Sequence, residues 1–137
     1  MLRNIFMFVA ISFSACYVQA DTLYENLGGQ AGIANIVDGF LEEISYDREI
    51  YPFFAKSNIK RVRSKLEEQF CHLSSGPCVY TGDDMKSVHT GMNIDEAHFN
   101  RVVELLQTAM TKADIDFPTQ NKLLQKLAPM RADMLHR

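Results

Sequence analysis

The chain has 137 residues, a length that suits one domain and excludes a large multidomain enzyme. Hydrophobic residues make up 47% of it and charged residues 23%, as in ordinary globular proteins, so wholesale disorder is not expected. The formal net charge of −3 gives no electrostatic reason to expect nucleic-acid binding.

The first twenty residues have the pattern of a secretory signal peptide. Arg3 supplies a positive charge near the start, and residues 5–13 form a nearly unbroken apolar run. Such a run is too short to span a bilayer comfortably as a helix. Val18-Gln19-Ala20 then offers small residues before Asp21, as at a cleavage site. We therefore expect residues 1–20 to be removed on export.

Export predicts where the mature protein is found and whether its cysteines pair. Residues 21–137 are predicted to form one mature domain in the periplasm or outside the cell, with no stable membrane insertion after processing. Two alternatives stay open, a retained N-terminal helix and a lipoprotein cleaved before Cys16. The mature chain keeps Cys71 and Cys78, and two cysteines in an oxidising compartment favour a disulfide. The alternative is two free thiols.

The mature chain begins with short and long helical patterns. Thr22–Leu27 is a short turn-like or helical segment that ends at Gly28-Gly29. From Gly32 onward, apolar residues recur at steps of three and four, which predicts a helix with one buried face. Those residues are Ile33, Ile36, Val37, Phe40, Leu41 and Ile44.

The second half continues the helical pattern and shows no convincing strand. A short segment over 47–54 precedes a helix over 58–73, and Asp83 to Thr90 forms a short helix. Asn93-Ile94-Asp95-Glu96 resembles a capping box with Asn at the cap. The last helix starts at Asp116-Phe117-Pro118, and Pro129 should bend or shorten it. We predict an all-α domain of four main helices plus short ones.

Common catalytic and metal-binding motifs are absent from the sequence. There is no CxxC, CxxCH or HxxxH pair, which argues against zinc and c-type haem attachment. There is no GxSxG, Walker loop or GxGxxG. Glu67-Glu68 and Asp83-Asp84 fit solvated helix faces. His89 is the exception, since it lies one turn after Met85 in a short helix, although a single His is more often structural than a metal ligand.

Five strings, taken in order, resemble the group I truncated haemoglobins. They are LYENLGG at 23–29, PFF at 52–54, GPCVYTGDDMKSVH at 76–89, NIDEAHF at 93–99 and LAPMR at 127–131. The resemblance covers about residues 22–135. It implies a truncated globin, a 2-on-2 helical sandwich around haem b (iron protoporphyrin IX), with His89 as the proximal iron ligand.

The resemblance also implies which residues surround the haem. Phe54 matches the Phe that stacks on the ring near the distal side, and Tyr80 and Lys86 are candidate neighbours of the propionates. Each apolar residue at a pocket position also fits ordinary core packing. These positions are Phe40, Phe70, Met85, Phe99 and Val102.

The distal side departs from the family pattern. The family usually has Tyr where this chain has Leu41, many members have Gln at the position of Leu66, and Val62 replaces a frequent His or Gln. The usual hydrogen-bond donors to bound dioxygen are therefore missing from the ligand pocket. This puts a high-affinity oxygen store, or an efficient nitric oxide dioxygenase, in doubt.

Lys65 is the polar candidate on the distal helix. In this family the distal helix can supply a sixth iron ligand from the matching position. A lysine amine binds a metal ion only when neutral, a form that burial favours. Three other interpretations stay open: a charged Lys65 that donates to a bound ligand, one that reaches a propionate, and a solvated lysine on a basic helix face.

We predict a monomeric haem protein that binds O₂, NO or CO. The resemblance leaves open nitric oxide dioxygenase or peroxidase-like activity, together with an unidentified reductase as partner. Two further functions remain as alternatives. One is a haem-based electron-transfer or redox protein, and the other is a non-haem, secreted helical interaction module closed by a disulfide between Cys71 and Cys78.

Overall fold

The computed structural model describes residues 21–137. The predicted signal peptide, residues 1–20, lies outside the described residues, and so does Cys16. The described part forms eight α-helices and one 3₁₀ turn, Ala128–Met130, and it contains no strand. The helices are α1 (Leu23–Asn26), α2 (Gly29–Tyr46), α3 (Tyr51–Phe54), α4 (Ile59–Leu73), α5 (Met85–His89), α6 (Glu96–Lys112), α7 (Phe117–Leu127) and α8 (Arg131–Met134).

These elements confirm the all-α prediction, with four longer helices and four short ones. The helix α2 packs against both α4 and α6, and α7 contacts α4 and α6. Within residues 21–137, no helix is both long enough and apolar enough to cross a membrane. The core contains Leu27, Ile33, Ile36, Val37, Phe40, Ile44, Ile50, Phe70, Cys71, Leu105, Leu106, Ala109, Met110 and Leu123.

A tight turn between α1 and α2 requires glycine. Gly28 caps α2 with φ of 89°, in the left-handed region that favours glycine. A Cβ atom on Gly32 would lie 2.0 Å from the carbonyl oxygen of Leu27. The first turn of α2 can therefore sit directly against the end of α1, which starts the long helix beside the core.

Side-chain caps fix where three of the later helices begin. Asn58 accepts a hydrogen bond from the backbone N–H of Arg61 at the start of α4, and Asp84 accepts one from Ser87 at the start of α5. The cap of α6 differs from the prediction, because Asp95 occupies it rather than Asn93. Asn93 adopts a left-handed φ of 50°, which places it in the connection and not at a helix start.

The C-terminal region bends at Pro129, as predicted. The helix α7 ends at Leu127, a 3₁₀ turn follows, and the chain resumes as α8. Proline interrupts the α-helical hydrogen-bond pattern because it lacks a backbone N–H. The redirected α8 packs against α5. The end of the chain therefore supports the short helix that carries His89.

Cys71 and Cys78 are joined in the structure, with their Cα atoms 5.7 Å apart. Cys71 is fully buried near the end of α4, whereas Cys78 lies in the loop that leads to α5. The cross-link therefore anchors this loop to the helix in front of it.

Candidate functional site

A large apolar cavity opens between α4, α5, α6 and the C-terminal segment. Its volume is about 910 Å³, and aromatic, aliphatic and methionine side chains form most of its wall. Eleven of the residues singled out in the sequence line it together. They are Phe40, Phe54, Val62, Lys65, Leu66, Phe70, Tyr80, Met85, His89, Phe99 and Val102.

Two of the predicted site residues do not line this cavity. Leu41 follows Phe40 on α2, so its side chain points in another direction and packs against the buried core. Lys86 follows Met85 on α5 and is exposed. Leu41 and Lys86 therefore lie outside the cavity that Phe40 and Met85 line.

The ring of His89 is oriented by its own helix. Its Nδ1 lies 2.7 Å from the carbonyl oxygen of Met85, one turn earlier. Because a carbonyl oxygen can only accept, the neutral ring carries its proton on Nδ1 and presents a lone pair on Nε2. No hydrogen bond from residues 21–137 engages Nε2. This is the arrangement that metal-ligating histidines commonly show.

The donor set and the shape of the cavity fit haem. A flat macrocycle with apolar faces would suit the hydrophobic wall, and the His89 imidazole could supply one ligand to its metal. Arg61 and Arg131 also line the cavity, and the Arg131 guanidinium lies 5.6 Å from the centre of the Phe99 ring. Among residues 21–137, no three His, Cys, Asp or Glu side chains converge as a multi-ligand metal site.

Tyr80 lies in the cavity wall with its hydroxyl group fixed. The hydroxyl donates a hydrogen bond to the backbone carbonyl of Asp83, at 2.8 Å. Burial and the nearby negative charge of Asp83 raise the pKa of this phenol, so it stays protonated. A Cβ atom on Gly82 would lie 2.3 Å from the Tyr80 oxygen, so a larger residue there would displace the ring.

Gln69 is a buried polar residue in the cavity wall that was not predicted from the sequence. Its residue surface is 7% exposed, and its amide nitrogen contacts only the thioether sulfurs of Met85 (3.6 Å) and Met130 (3.5 Å). Thioether sulfur is a weak acceptor. The helical spacing from Val62 and Leu66 would have placed Gln69 on the same face of α4.

Lys65, Glu68 and Thr81 form a hydrogen-bonded cluster at the edge of the cavity. The Lys65 Nζ atom lies 2.9 and 3.0 Å from the two carboxylate oxygens of Glu68, and it also contacts the Thr81 hydroxyl. The backbone N–H and the hydroxyl of Thr81 donate to Glu68 Oε2, at 2.9 and 2.8 Å. Glu68 is therefore not the solvated carboxylate that the sequence suggested.

These contacts define the charge of Glu68. The hydrogen bond from Lys65, followed by those from the Thr81 backbone and side chain, lowers the pKa of Glu68 to about 2. The carboxylate is therefore ionised at neutral pH and attracts the ammonium form of a lysine.

Comparisons with known proteins agree with this geometry. The chain matches the sequence model of the family described as bacterial-like globin over residues 22–136. It is 31% identical over 113 residues to the group 1 truncated haemoglobin GlbN of Mycolicibacterium paratuberculosis, covering 82% of this chain and 83% of that protein. It is 28% identical over 116 residues to GlbN of a Nostoc species, covering 85% of this chain and 98% of that protein.

A solved structure is similar across the whole described fold. The Fe(III) form of the truncated haemoglobin from Tetrahymena pyriformis superposes with a TM-score of 0.82 and 26% sequence identity. The match covers 85% of this chain and 100% of that chain.

Proposed function

The chain belongs to the bacterial-like globin family, and from this premise we propose that His89 holds haem b in the cavity and that the iron binds a diatomic ligand. When bound, haem supplies an iron atom with a coordination position for O₂, NO or CO. The observation that carries the proposal is His89 itself. Its Nδ1 is held by the Met85 carbonyl, and its Nε2 is left to act as a ligand at the wall of an apolar cavity.

The cavity wall carries cationic groups that could bind the two propionates of haem. Of the two candidates from the sequence, Tyr80 lies in the cavity wall, whereas Lys86 lies outside it. Arg61 and Arg131 are further candidates, because guanidinium groups bind carboxylates through paired N–H donors.

The apolar distal wall favours ligand exchange or redox turnover over oxygen storage. Val62 and Leu66 line the cavity but cannot donate a hydrogen bond. Dioxygen on the iron would carry partial negative charge, and neither Val62 nor Leu66 could donate a hydrogen bond to it. We therefore expect weak oxygen binding and a ferrous protein that is readily oxidised. Peroxidase-like turnover, supported by an unidentified reductase, is the corresponding enzymatic proposal, whereas the missing donors count against efficient nitric oxide dioxygenase activity.

Lys65 is proposed as an alternative sixth ligand of the iron. Its side chain is only 23% exposed and lines the cavity, on the same helix as Val62 and Leu66. Coordination by Lys65 would favour the second candidate function, a haem-based electron-transfer protein, because a six-coordinate iron exchanges electrons without binding an external ligand. The rate of CO binding to the ferrous protein separates the two functions.

We also propose that the protein is exported as a monomer. The pattern of residues 1–20 supports cleavage of a signal peptide. The pairing of Cys71 with Cys78 is compatible with an oxidising compartment. N-terminal sequencing of the protein recovered from its cellular location, together with its mass in solution, tests both statements.

Haem titration of the purified protein tests the main proposal. The wild type should develop a Soret band at one haem per chain, and His89→Ala should weaken haem binding by more than about tenfold, since it removes the axial ligand. His72→Ala is the matched control, because His72 is exposed and lies outside the cavity wall. A wild-type protein that stays colourless would contradict the proposal and favour the non-haem interaction module.

A further inference from the structure

The cluster of Lys65, Glu68 and Thr81 affects whether Lys65 is available to bind a haem iron in the cavity. We propose that Glu68 and Thr81 are positioning residues that hold the Lys65 amine at the rim of the cavity and compete with the haem iron for it. A haem iron held by His89 would then keep a coordination position open while Lys65 is held, and Lys65 could fill that position after leaving the cluster. This inference rests on the proposed function, namely that the cavity holds haem.

The cluster is more ordered than a typical surface ion pair. Lys65 and Glu68 are three residues apart on α4, and their side chains are only 23% and 26% exposed. Thr81 approaches from a different segment, and it donates both its backbone N–H and its hydroxyl to the carboxylate. The carboxylate is therefore fixed from two directions, unlike an isolated exposed pair that contributes little.

The segment that carries Thr81 is itself anchored. The Cys71–Cys78 disulfide ties this loop to α4 three residues before Thr81. The Tyr80 hydroxyl fixes the loop again by its hydrogen bond to the Asp83 carbonyl. Thr81 consequently meets Glu68 at a position that the surrounding structure determines.

Neighbouring cations on α4 do not replace Lys65 in this cluster. Arg63 pairs with Asp38 at 2.6 Å and with Glu67 at 2.7 Å, and Arg61 lies 3.5 Å from Asp83. Within residues 21–137, Lys65 is the cation that pairs with Glu68. Loss of Glu68 would therefore release Lys65 specifically.

The competition follows from the chemistry of one nitrogen atom. A lysine ammonium has no lone pair, so Lys65 would have to leave Glu68 and Thr81 and lose one proton to solvent before its nitrogen could bind iron. The two states of Lys65 exclude each other. Val62 and Leu66 carry no metal-binding group, so of these three cavity residues of α4 only Lys65 could supply a nitrogen ligand to the iron.

The test is the spin state of the ferric haem-loaded protein, measured by absorption and electron paramagnetic resonance. Glu68→Gln should raise the ratio of low-spin to high-spin iron about fivefold, on the scale expected for one partly shielded ion pair. Adding Lys65→Ala to this variant should abolish the rise. Glu67→Gln is the matched control, since it makes the same charge change one residue away and leaves the cluster intact.

Thr81 provides a second, independent variant in case Glu68→Gln does not bind haem. Thr81→Val should also raise the low-spin fraction, whereas Thr81→Ser, which keeps the hydroxyl group, should leave it at the wild-type value. A merely structural role of Thr81 would not make the iron spectrum depend on Lys65.

Three results would overturn the inference. The low-spin fraction could stay constant in both Glu68→Gln and Thr81→Val, its rise could persist after removal of Lys65, or the wild-type iron could already be fully low-spin through Lys65. In each case the protein still binds haem, so the proposed function survives. A wild type that takes up no haem overturns the inference and the proposed function together.

Discussion

The two helices that carry candidate nitrogen ligands fix them in different ways. On α5, the His89 ring is held by a backbone carbonyl of the same helix, four residues earlier. On α4, the Lys65 amine is held by side chains, one of which comes from a loop sixteen residues later in the chain. The proximal arrangement depends on local helix geometry, whereas the distal arrangement depends on how two separate segments pack.

This difference predicts how each side responds to change. A ligand held by its own helix persists as long as that helix forms. A side chain held by a distant loop is released when the loop moves, even if both helices remain intact. The distal side should therefore be the more easily altered of the two.

Removal of the disulfide should produce the largest effect on stability. In the chain-entropy account, opening this eight-residue loop lowers the free energy of unfolding by ~2.5 kcal/mol. Urea unfolding of the oxidised and reduced proteins measures this change.

Because Thr81 depends on the anchored loop, reduction of the disulfide in the haem-loaded protein should also alter the ferric spin state, while the iron–His89 stretching band stays constant. An altered iron–His89 stretching band with an unchanged spin state would contradict this account, because it would show that the proximal side depends on the disulfide and the distal side does not.

Replacement of Gln69, in the cavity wall, should change the free energy of unfolding by less than removal of the disulfide does. The buried amide of Gln69 contacts only thioether sulfurs, so much of the cost of removing it from water is not recovered. Gln69→Met, which has a similar length, should raise the free energy of unfolding of the haem-free protein by ~1 kcal/mol. Chemical denaturation measures the change, with Gln120→Met as a contrast, since Gln120 is buried but donates to the Ile115 carbonyl. Equal effects of the two variants would contradict this account of Gln69.

Asp84 caps α5, the helix that carries His89, and its ionisation should make protein stability depend on pH. We expect this effect to be the smallest of the three. Hydrogen bonds from the Ser87 side chain and backbone lower the pKa of Asp84 below its ordinary value of 3.8. The folded state therefore binds this proton less tightly than the unfolded state, so the contribution is present above pH 3.8 and is lost as the pH falls through the lowered pKa.

The measurement for Asp84 is acid unfolding. Asp84→Asn keeps a good capping side chain but cannot ionise, so its stability should fall less steeply below pH 4 than that of the wild type. Near neutral pH the stabilities of the two proteins should differ by a constant amount that does not depend on pH. Parallel acid-unfolding curves would show that Asp84 does not contribute in this way.

The same contrast explains what could be predicted from the sequence. The helices and the bend at Pro129 follow from local patterns, namely apolar spacing, caps and the missing N–H of proline. The position of His89 one turn after Met85 is equally local, so its hydrogen bond to the Met85 carbonyl follows once α5 forms.

Long-range contacts could not be predicted in this way. The sequence places Glu68 beside Glu67 on a helix, and nothing local shows that Thr81 reaches one carboxylate but not the other. The cap of α6 was assigned to Asn93, because the local pattern does not reveal that the backbone there is left-handed. The positions of Leu41, against the core, and of Lys86, in solvent, likewise depend on how α2 and α5 are rotated in the packed fold.

The central claim is that His89 supplies the axial nitrogen to haem in this cavity. The most direct measurement is imidazole rescue of His89→Gly, followed by absorption spectroscopy of the ferrous protein under CO. We predict that the variant loses the wild-type spectrum and that added imidazole restores it. A wild-type spectrum in His89→Gly without imidazole would contradict the claim.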